Sequence, residues 1–241
     1  MEKFVVYGPG RTGTTTLLRL IRRHPDVSPD RIAGELWTEN EKYGEFKFHL
    51  VKNLEEFKEF FVRSYQLFDG YKVLVGHLNQ HMREHLLSSN LCARVIRTSR
   101  RNVLKGAVSR MVAHQTERWN KYQIAARPIT EPIKIDDVIQ GMKVQMRSGV
   151  EESILDDKKV LNVVYEDFYL SPFEIKLEKL KSIFEFIGLS PIITDDMIEN
   201  LEMGAILNQR DYLKIPNVYE IEKTLGSDET GWLFDGYGGL I

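Results

Sequence analysis

The chain begins with an apolar run that leads through a glycine-rich loop into a helical pattern. Residues 4–7 are aromatic or β-branched and are bounded by glycine and proline, which is typical of a short buried strand. The loop covers residues 8–13, and the helical pattern begins at Thr14. In this order the free N–H groups and the positive dipole end of the helix face the loop. The sequence therefore predicts an anion-binding corner.

The two outer glycines of this loop, Gly8 and Gly13, have the spacing of an NTPase P-loop, G-x-x-x-x-G-K-[ST]. Thr14 stands where the P-loop has a lysine that neutralises the β- and γ-phosphates, and Arg11 lies inside the loop instead. Hydroxyl groups are added by Thr12, Thr14, Thr15 and Thr16. The loop therefore suits a nucleotide with a single phosphate at that point. The alternative is a strand–helix corner without a ligand.

The composition narrows the classes of protein that fit. The chain has 241 residues, 42% of them hydrophobic, which is enough for the core of a single domain over residues 1–241. A net charge of -2 gives no general affinity for nucleic acid or anionic membranes, and no stretch approaches the ~18 apolar residues of a membrane span. The lone Cys92 favours a reducing, cytoplasmic location. We expect no signal peptide, because the first strand begins at once.

Four apolar runs alternate with helical patterns, at residues 4–7, 71–75, 91–96 and 159–165. This alternation predicts an α/β fold of three layers, with a central parallel sheet between helices and a P-loop-like strand–loop–helix. We interpret the polar residues 26–53 as irregular. Ligands of parallel sheets bind beyond the carboxyl ends of the strands. The loop with Arg11, His77 and the pair Arg100–Arg101 all follow predicted strand ends, so we expect them along one rim.

A stretch without acidic residues covers the third apolar run and the helical pattern after it. Residues 85–116 contain no Asp or Glu, although acidic residues outnumber basic ones by 35 to 33 in the whole chain. Arg101 stands where a strand passes into a helix, and Ser109 lies about two turns into that helix. A guanidinium can bind a phosphate bidentately, and a serine can add a hydrogen bond. This stretch therefore predicts a second anion pocket, with a basic solvated face or a nucleic-acid patch as the alternative.

These motifs together resemble the sulfotransferases that use 3'-phosphoadenosine 5'-phosphosulfate (PAPS), a nucleotide with phosphates at two separated positions. The family has a loop P-[KR]-[ST]-G-T-[TS], a later R-[ND]-x6-S motif, and a tyrosine and a histidine that each follow a strand. The matching positions are residues 10–15, with Pro9 one place earlier than the family's proline, and Arg101, Asn102, Ser109, Tyr165 and His77. The matches span roughly residues 4–189 and look most like bacterial members that act on carbohydrates and lipids.

The resemblance implies that PAPS is the co-substrate and assigns a role to each motif. The 5'-phosphosulfate end would contact Arg11, Thr12, Gly13, Thr14, Thr15 and Thr16. The 3'-phosphate would contact Arg101 and Ser109, with Tyr165 nearby. The chain departs from the family at Val75, where members have a lysine, and at Thr16, where cytosolic animal members have a tryptophan that stacks on adenine. It also lacks the C-terminal R-K-G motif.

The implied reaction is transfer of a sulfuryl group to a hydroxyl, which needs a general base. His77 is one candidate, because a neutral imidazole accepts a proton near pH 7. Glu35 is the other, since it matches the position of a catalytic glutamate in some bacterial members. Arg11 would stabilise charge on the leaving phosphate oxygen. The transferred group carries less charge than a phosphoryl group, so we expect no metal ion.

The acceptor is left open among small molecules, glycans and lipids, and no oligomeric state is predicted. We expect residues 26–53 and 121–132 to line the acceptor pocket. Aromatic side chains that suit such a pocket include Trp37, Tyr43 and Tyr122, with Trp119 just before the second segment.

Two other functions fit parts of the sequence. A P-loop kinase or NTPase would account for the glycine spacing, and residues 160–167 resemble a Walker B strand that ends in an acid. Thr14 weighs against this function. An RNA-binding module would use the stretch without acidic residues, although the net charge and the lack of interleaved aromatics there weigh against it.

Overall fold

The structure is a computed structural model that describes residues 1–35, 51–118, 127–147, 159–202 and 209–234. Within these ranges the chain forms five strands and ten α-helices. The strands are β1 (Phe4–Gly8), β2 (Ile32–Glu35), β3 (Gly70–Leu74), β4 (Arg94–Ser99) and β5 (Lys159–Val164). The helices are α1 (Thr14–Arg22), α2 (Leu54–Leu67), α3 (Gln80–Ser88), α4 (Val103–Thr116), α5 (Ile135–Arg147), α6 (Tyr165–Tyr169), α7 (Phe173–Phe186), α8 (Asp195–Glu202), α9 (Gln209–Tyr212) and α10 (Val218–Leu225).

The strands of the described chain form one parallel sheet in the order β2-β3-β1-β4-β5. Strand β1 lies at its centre, where Val6 pairs with Lys72 of β3 and with Ile96 of β4. The predicted α/β class with a central parallel sheet is therefore confirmed. Since all strands run the same way, their carboxyl ends meet at one edge of the sheet.

Helices cover both faces of this sheet because alternate residues of β1 point in opposite directions and every one of them is buried. Phe4 and Val6 pack in a core with α1 and α7. Val5 and Tyr7 pack in a second core with α2 and α3. A third apolar cluster joins α4, α5 and α10 to the segment that ends at Phe234. The first two cores give the three layers that the sequence predicts.

The structure corrects the interpretation of residues 26–53 as irregular, because Ile32–Glu35 forms the edge strand β2. Its first two residues, Ile32 and Ala33, are almost completely buried, and the strand pairs with β3. Its apolar signal is only two residues long and is followed by Gly34, which is too short a pattern to distinguish a strand from a loop. The sequence also did not predict the short helix α6.

The turn from β1 into α1 is held from inside the protein. Arg11 and Gly13 both have positive φ angles, 70° and 82°. The hydroxyl of Thr12 is within hydrogen-bond distance of Pro9 O at 2.7 Å and of Thr98 Oγ1 at 2.8 Å. The hydroxyl of Tyr169, in α6, donates to Gly13 O at 2.8 Å. These contacts fix the backbone of the loop.

No helix in the described ranges has the length and apolar character needed to cross a membrane.

We predict that Gly13→Ala destabilises the fold by about 2–4 kcal/mol, as measured by denaturant unfolding. A β-carbon at this position would lie 2.1 Å from Tyr169 Cε2, and the positive φ adds backbone strain. Gly34→Ala is the matched control, since a β-carbon there meets nothing within 4 Å. Its effect should stay within about 1 kcal/mol. Equal effects of the two substitutions would contradict this account of the turn.

Candidate functional site

The carboxyl edge of the sheet collects the residues that the sequence analysis singled out. The loop with Arg11 follows β1, and His77 ends a 3-10 turn directly after β3. Glu35 is the last residue of β2, Arg101 follows β4, and Tyr165 follows β5. These segments come from five parallel neighbours, so they meet on one rim although they are far apart in the sequence.

A direct contact joins the two motifs that were predicted to bind anions. Arg11 Nε donates a hydrogen bond to Ser109 Oγ at 3.0 Å. Ser109 lies on α4 and is only 5% exposed. Ser109 of α4 thus holds the guanidinium of Arg11.

Arg100 is a central member of the site, although the motif comparison pointed to its neighbour Arg101. Arg100 Nη1 donates to Arg11 O at 3.2 Å, and its guanidinium lies 4.4 Å from the centre of the Tyr165 ring. Arg100 Nε lies 3.6 Å from Glu166 Oε1, and the side chain of Arg100 is 10% exposed. Arg100 therefore connects the loop to the segment that follows β5.

The site carries a concentration of positive charge. Burial, followed by the positive charge of Arg100, lowers the pKa of Arg11 to about 10. Arg118 lowers the pKa of Arg11 further, while Tyr212 and Tyr165 raise it. Burial also raises the pKa of Tyr212. Three guanidinium groups in one partly desolvated place repel each other, so an anion bound among them would be favoured.

The N-terminus of α1 lacks a side-chain cap from its N-cap residue, Gly13. Thr12 and Thr14 are buried, and the hydroxyl of Thr12 is used inside the loop. Thr15 and Thr16 are partly exposed. Of the four predicted hydroxyl ligands, these last two are therefore the ones with access to the outside.

The N-terminus of α4 differs because the protein's own side chains occupy it. The carboxylate of Glu166 accepts hydrogen bonds from Arg101 N at 2.9 Å and from Asn102 N at 3.2 Å. Asn102 Oδ1 accepts a further bond from Lys105 N at 2.7 Å. A carboxylate thus lies at the positive end of this helix, where the second predicted pocket would hold a phosphate.

Arg101 and Ser109, which were predicted to bind one phosphate together, have different partners in this structure. Arg101 forms a bidentate ion pair with Asp167, at 2.8 and 2.6 Å, and its side chain is 61% exposed. The hydrogen bonds from Arg101 lower the pKa of the Asp167 carboxyl. Exposed ion pairs contribute little to stability, so this one can be exchanged for another anion.

The two candidate bases lie on neighbouring strands. His77 is exposed at the end of its 3-10 turn. The backbone of Glu35 pairs with Lys72 of β3. The predicted acceptor-pocket aromatics Trp37, Tyr43, Trp119 and Tyr122 lie outside the described residues, as does the glycine-rich end of the chain.

Sequence reasoning missed Gln145, which holds the loop in place, and it placed Arg100 on the rim without a role of its own. Gln145 Nε2, on α5, donates to Gly10 O at 2.7 Å. Gln145 is 135 residues from Gly10 and carries no motif. Arg100 had a signal, since it immediately precedes Arg101, but the motif spacing to Ser109 selected the second arginine.

Among the described residues, no group of three or more His, Cys, Asp or Glu side chains is arranged to hold a metal ion. Neither models of known protein families nor curated proteins match this chain.

We predict that Arg11→Gly removes anion binding with little effect on stability. Glycine relieves the backbone strain at φ 70°, about 1 kcal/mol, which offsets the lost hydrogen bond to Ser109. The free energy of unfolding without ligand should stay within about 1 kcal/mol of the wild type. The rise in melting temperature that inorganic phosphate produces should be lost.

Glu117 offers a matched control for this substitution, because it is the other non-glycine residue with a positive φ (56°) in the described chain and follows the last turn of α4. Glu117→Gly should stabilise the fold by about 1 kcal/mol and keep the response to phosphate. A phosphate response that survives Arg11→Gly would show that Arg11 is not an anion ligand.

Proposed function

We propose that this protein is a PAPS-dependent sulfotransferase that transfers a sulfuryl group to a hydroxyl of a small-molecule, carbohydrate or lipid acceptor. The observation that carries the proposal is the hydrogen bond from Arg11 Nε to Ser109 Oγ. It joins the loop motif and the second motif, 98 positions apart, which belong to one family pattern. A chance match of either motif alone would not require the two to meet.

The chemistry of the loop also supports an anionic co-substrate. A helix N-terminus without a side-chain cap, a partly buried arginine and two partly exposed threonines surround the place where the phosphosulfate would bind. Hydrogen-bond donors that are already in position stabilise developing negative charge without reorganising during the reaction. Gln145, Arg100 and Tyr169 each bond a carbonyl of this loop, which holds it in that arrangement.

The proposed reaction is an in-line displacement at sulfur. The acceptor oxygen forms a bond to sulfur while the bond from sulfur to the 5'-phosphate oxygen breaks. The acceptor proton passes to a base, either His77 or Glu35. Arg11 and the N–H groups of α1 stabilise the charge on the departing phosphate oxygen. The products are a sulfate ester and adenosine 3',5'-bisphosphate.

In this proposal the 3'-phosphate binds Arg101 in place of Asp167. The ion pair of these two side chains is exposed and bidentate, so a phosphate dianion can replace the carboxylate without a buried charge being left unpaired. The carboxylate of Glu166 keeps its hydrogen bonds to the backbone of α4. The pocket therefore opens by the movement of one surface side chain.

Calorimetric titration with adenosine 3',5'-bisphosphate tests the proposal, with ATP–Mg²⁺ as the comparison. We expect micromolar binding of the bisphosphate and no binding of ATP, because the site supplies separate positions for two phosphates. Binding of ATP–Mg²⁺ alone would contradict the proposal and favour a kinase or NTPase. Binding of neither would mean that the loop has only a structural role.

The same titration with two variants tests the second phosphate site. Arg101→Ala should weaken binding of the bisphosphate by about 10- to 100-fold, as expected when a charged hydrogen-bond partner is lost. Asp167→Asn should strengthen it, because Arg101 no longer has to give up a carboxylate. If neither substitution changes the affinity, the 3'-phosphate does not bind at Arg101.

For the catalytic base, we predict that His77→Ala or Glu35→Gln lowers turnover by about 100-fold or more, while binding of the bisphosphate is retained. Turnover is measured as release of adenosine 3',5'-bisphosphate from PAPS in the presence of a panel of hydroxyl acceptors. The variant with the large loss identifies the base. Near-normal turnover of both variants would exclude both residues from this role.

A further inference from the structure

Lys72 is a buried ammonium group that no sequence motif pointed out. It lies in the middle of β3, paired with Val6 of β1 and with Glu35 of β2, and is only 6% exposed. Lysine is rarely buried to this extent, because desolvation of its charge is costly. Its position on the central sheet beneath the loop therefore calls for a specific role.

The ammonium of Lys72 reaches the first turn of α1. Lys72 Nζ donates a hydrogen bond to Thr15 Oγ1 at 3.0 Å. Thr15 is the second residue of α1, and its side chain is partly exposed while Lys72 is buried. Side chains paired across parallel strands share a face, so Lys72 lies on the α1 side with Val6.

The direction of this hydrogen bond determines what the threonine can do. An ammonium group only donates, so Thr15 Oγ1 must act as the acceptor. In the described part of the chain, the hydrogen bond observed at the Thr15 hydroxyl is the one that it accepts from Lys72. Because Oγ1 accepts from Lys72, the hydroxyl hydrogen remains for another acceptor, and an anion oxygen at the N-terminus of α1 would serve.

We propose that Lys72 is a positioning residue of the anion site, which makes Thr15 a hydrogen-bond donor to the phosphate or sulfate group bound by the loop. The inference rests on the proposed use of this loop as an anion site. Lys72 also supplies positive charge close to Thr14, the position at which a P-loop would carry its lysine. The charge comes from a neighbouring strand and acts through a hydroxyl group.

A double-mutant cycle of Lys72→Met and Thr15→Val tests this role, with affinity for adenosine 3',5'-bisphosphate and for inorganic phosphate as the readout. Lys72→Met preserves the volume of the side chain but removes its charge. We expect each single variant to bind about 10-fold more weakly. In the Thr15→Val background, Lys72→Met should add less than about a 3-fold loss, because its effect passes through the missing hydroxyl.

Two further variants control for effects on folding and on net charge. Thr15→Ser keeps the hydroxyl and should recover most of the affinity that Thr15→Val loses. Lys3→Met removes the same charge at the amino ends of the strands, where Lys3 Nζ donates to Tyr65 O. This variant should leave the affinity unchanged. If Lys72→Met impairs folding, the difference between Thr15→Ser and Thr15→Val still reports on the hydroxyl.

The outcomes separate this inference from the proposed function. The inference would be overturned, while the function stands, if Lys72→Met or Thr15→Val left the affinity unchanged. It would also be overturned if Lys72→Met caused the same loss in the wild type and in the Thr15→Val variant. Binding of inorganic phosphate without the bisphosphate, with the expected coupling, would support the role of Lys72 and contradict the sulfotransferase. A wild-type protein that binds neither anion would overturn both.

Discussion

Strand β1 is buried on both faces and paired on both edges, and the position of every other element near the site depends on it. Strand β1 ends at Gly8, a position that excludes a side chain because a β-carbon there would lie 2.1 Å from Thr98 Oγ1. The loop that follows is then held by bonds from β4, α5 and α6, and by Arg100 beyond β4. A loop fixed by so many neighbours presents its N–H groups at constant positions, which lowers the entropy cost of binding an anion.

The two helix N-termini at this edge differ in their electrostatics. Helix α4 has the carboxylate of Glu166 on its first N–H groups and Asn102 as a side-chain cap. Helix α1 has Gly13 at the same position and no side-chain cap. An orphan N–H group at a helix N-terminus favours an acceptor. The protein's own side chains supply acceptors at α4, whereas the N-cap residue of α1 supplies none. This contrast makes α1 the stronger of the two predicted anion sites.

The positive charge around the loop is arranged at graded depths. Lys72 is buried, Arg11 and Arg100 are partly buried, and Arg101 lies at the surface in an ion pair with Asp167. A charge in a poorly solvated position interacts with an anion more strongly than one in water. The buried groups therefore suit tight binding and charge stabilisation, whereas the exposed pair suits an exchangeable contact.

Local patterns in the sequence were sufficient to predict the strand–loop–helix corner, the parallel sheet and the common rim. An apolar run, two glycines and a helical period all act over a few residues, so they leave a readable signal. Strand β2 was missed because Ile32 and Ala33 are buried by pairing with β3, which a four-residue pattern does not reveal.

The sequence by itself determined the glycine-rich strand–loop–helix corner and a separate cluster of arginines, because both are matters of residue type and local spacing. Tertiary structure alone decided which side chains meet there. Ser109 contacts Arg11, Arg101 pairs with Asp167, and Lys72 reaches Thr15. These contacts join residues 57 to 98 positions apart, and they depend on strand order and register, which no local period encodes.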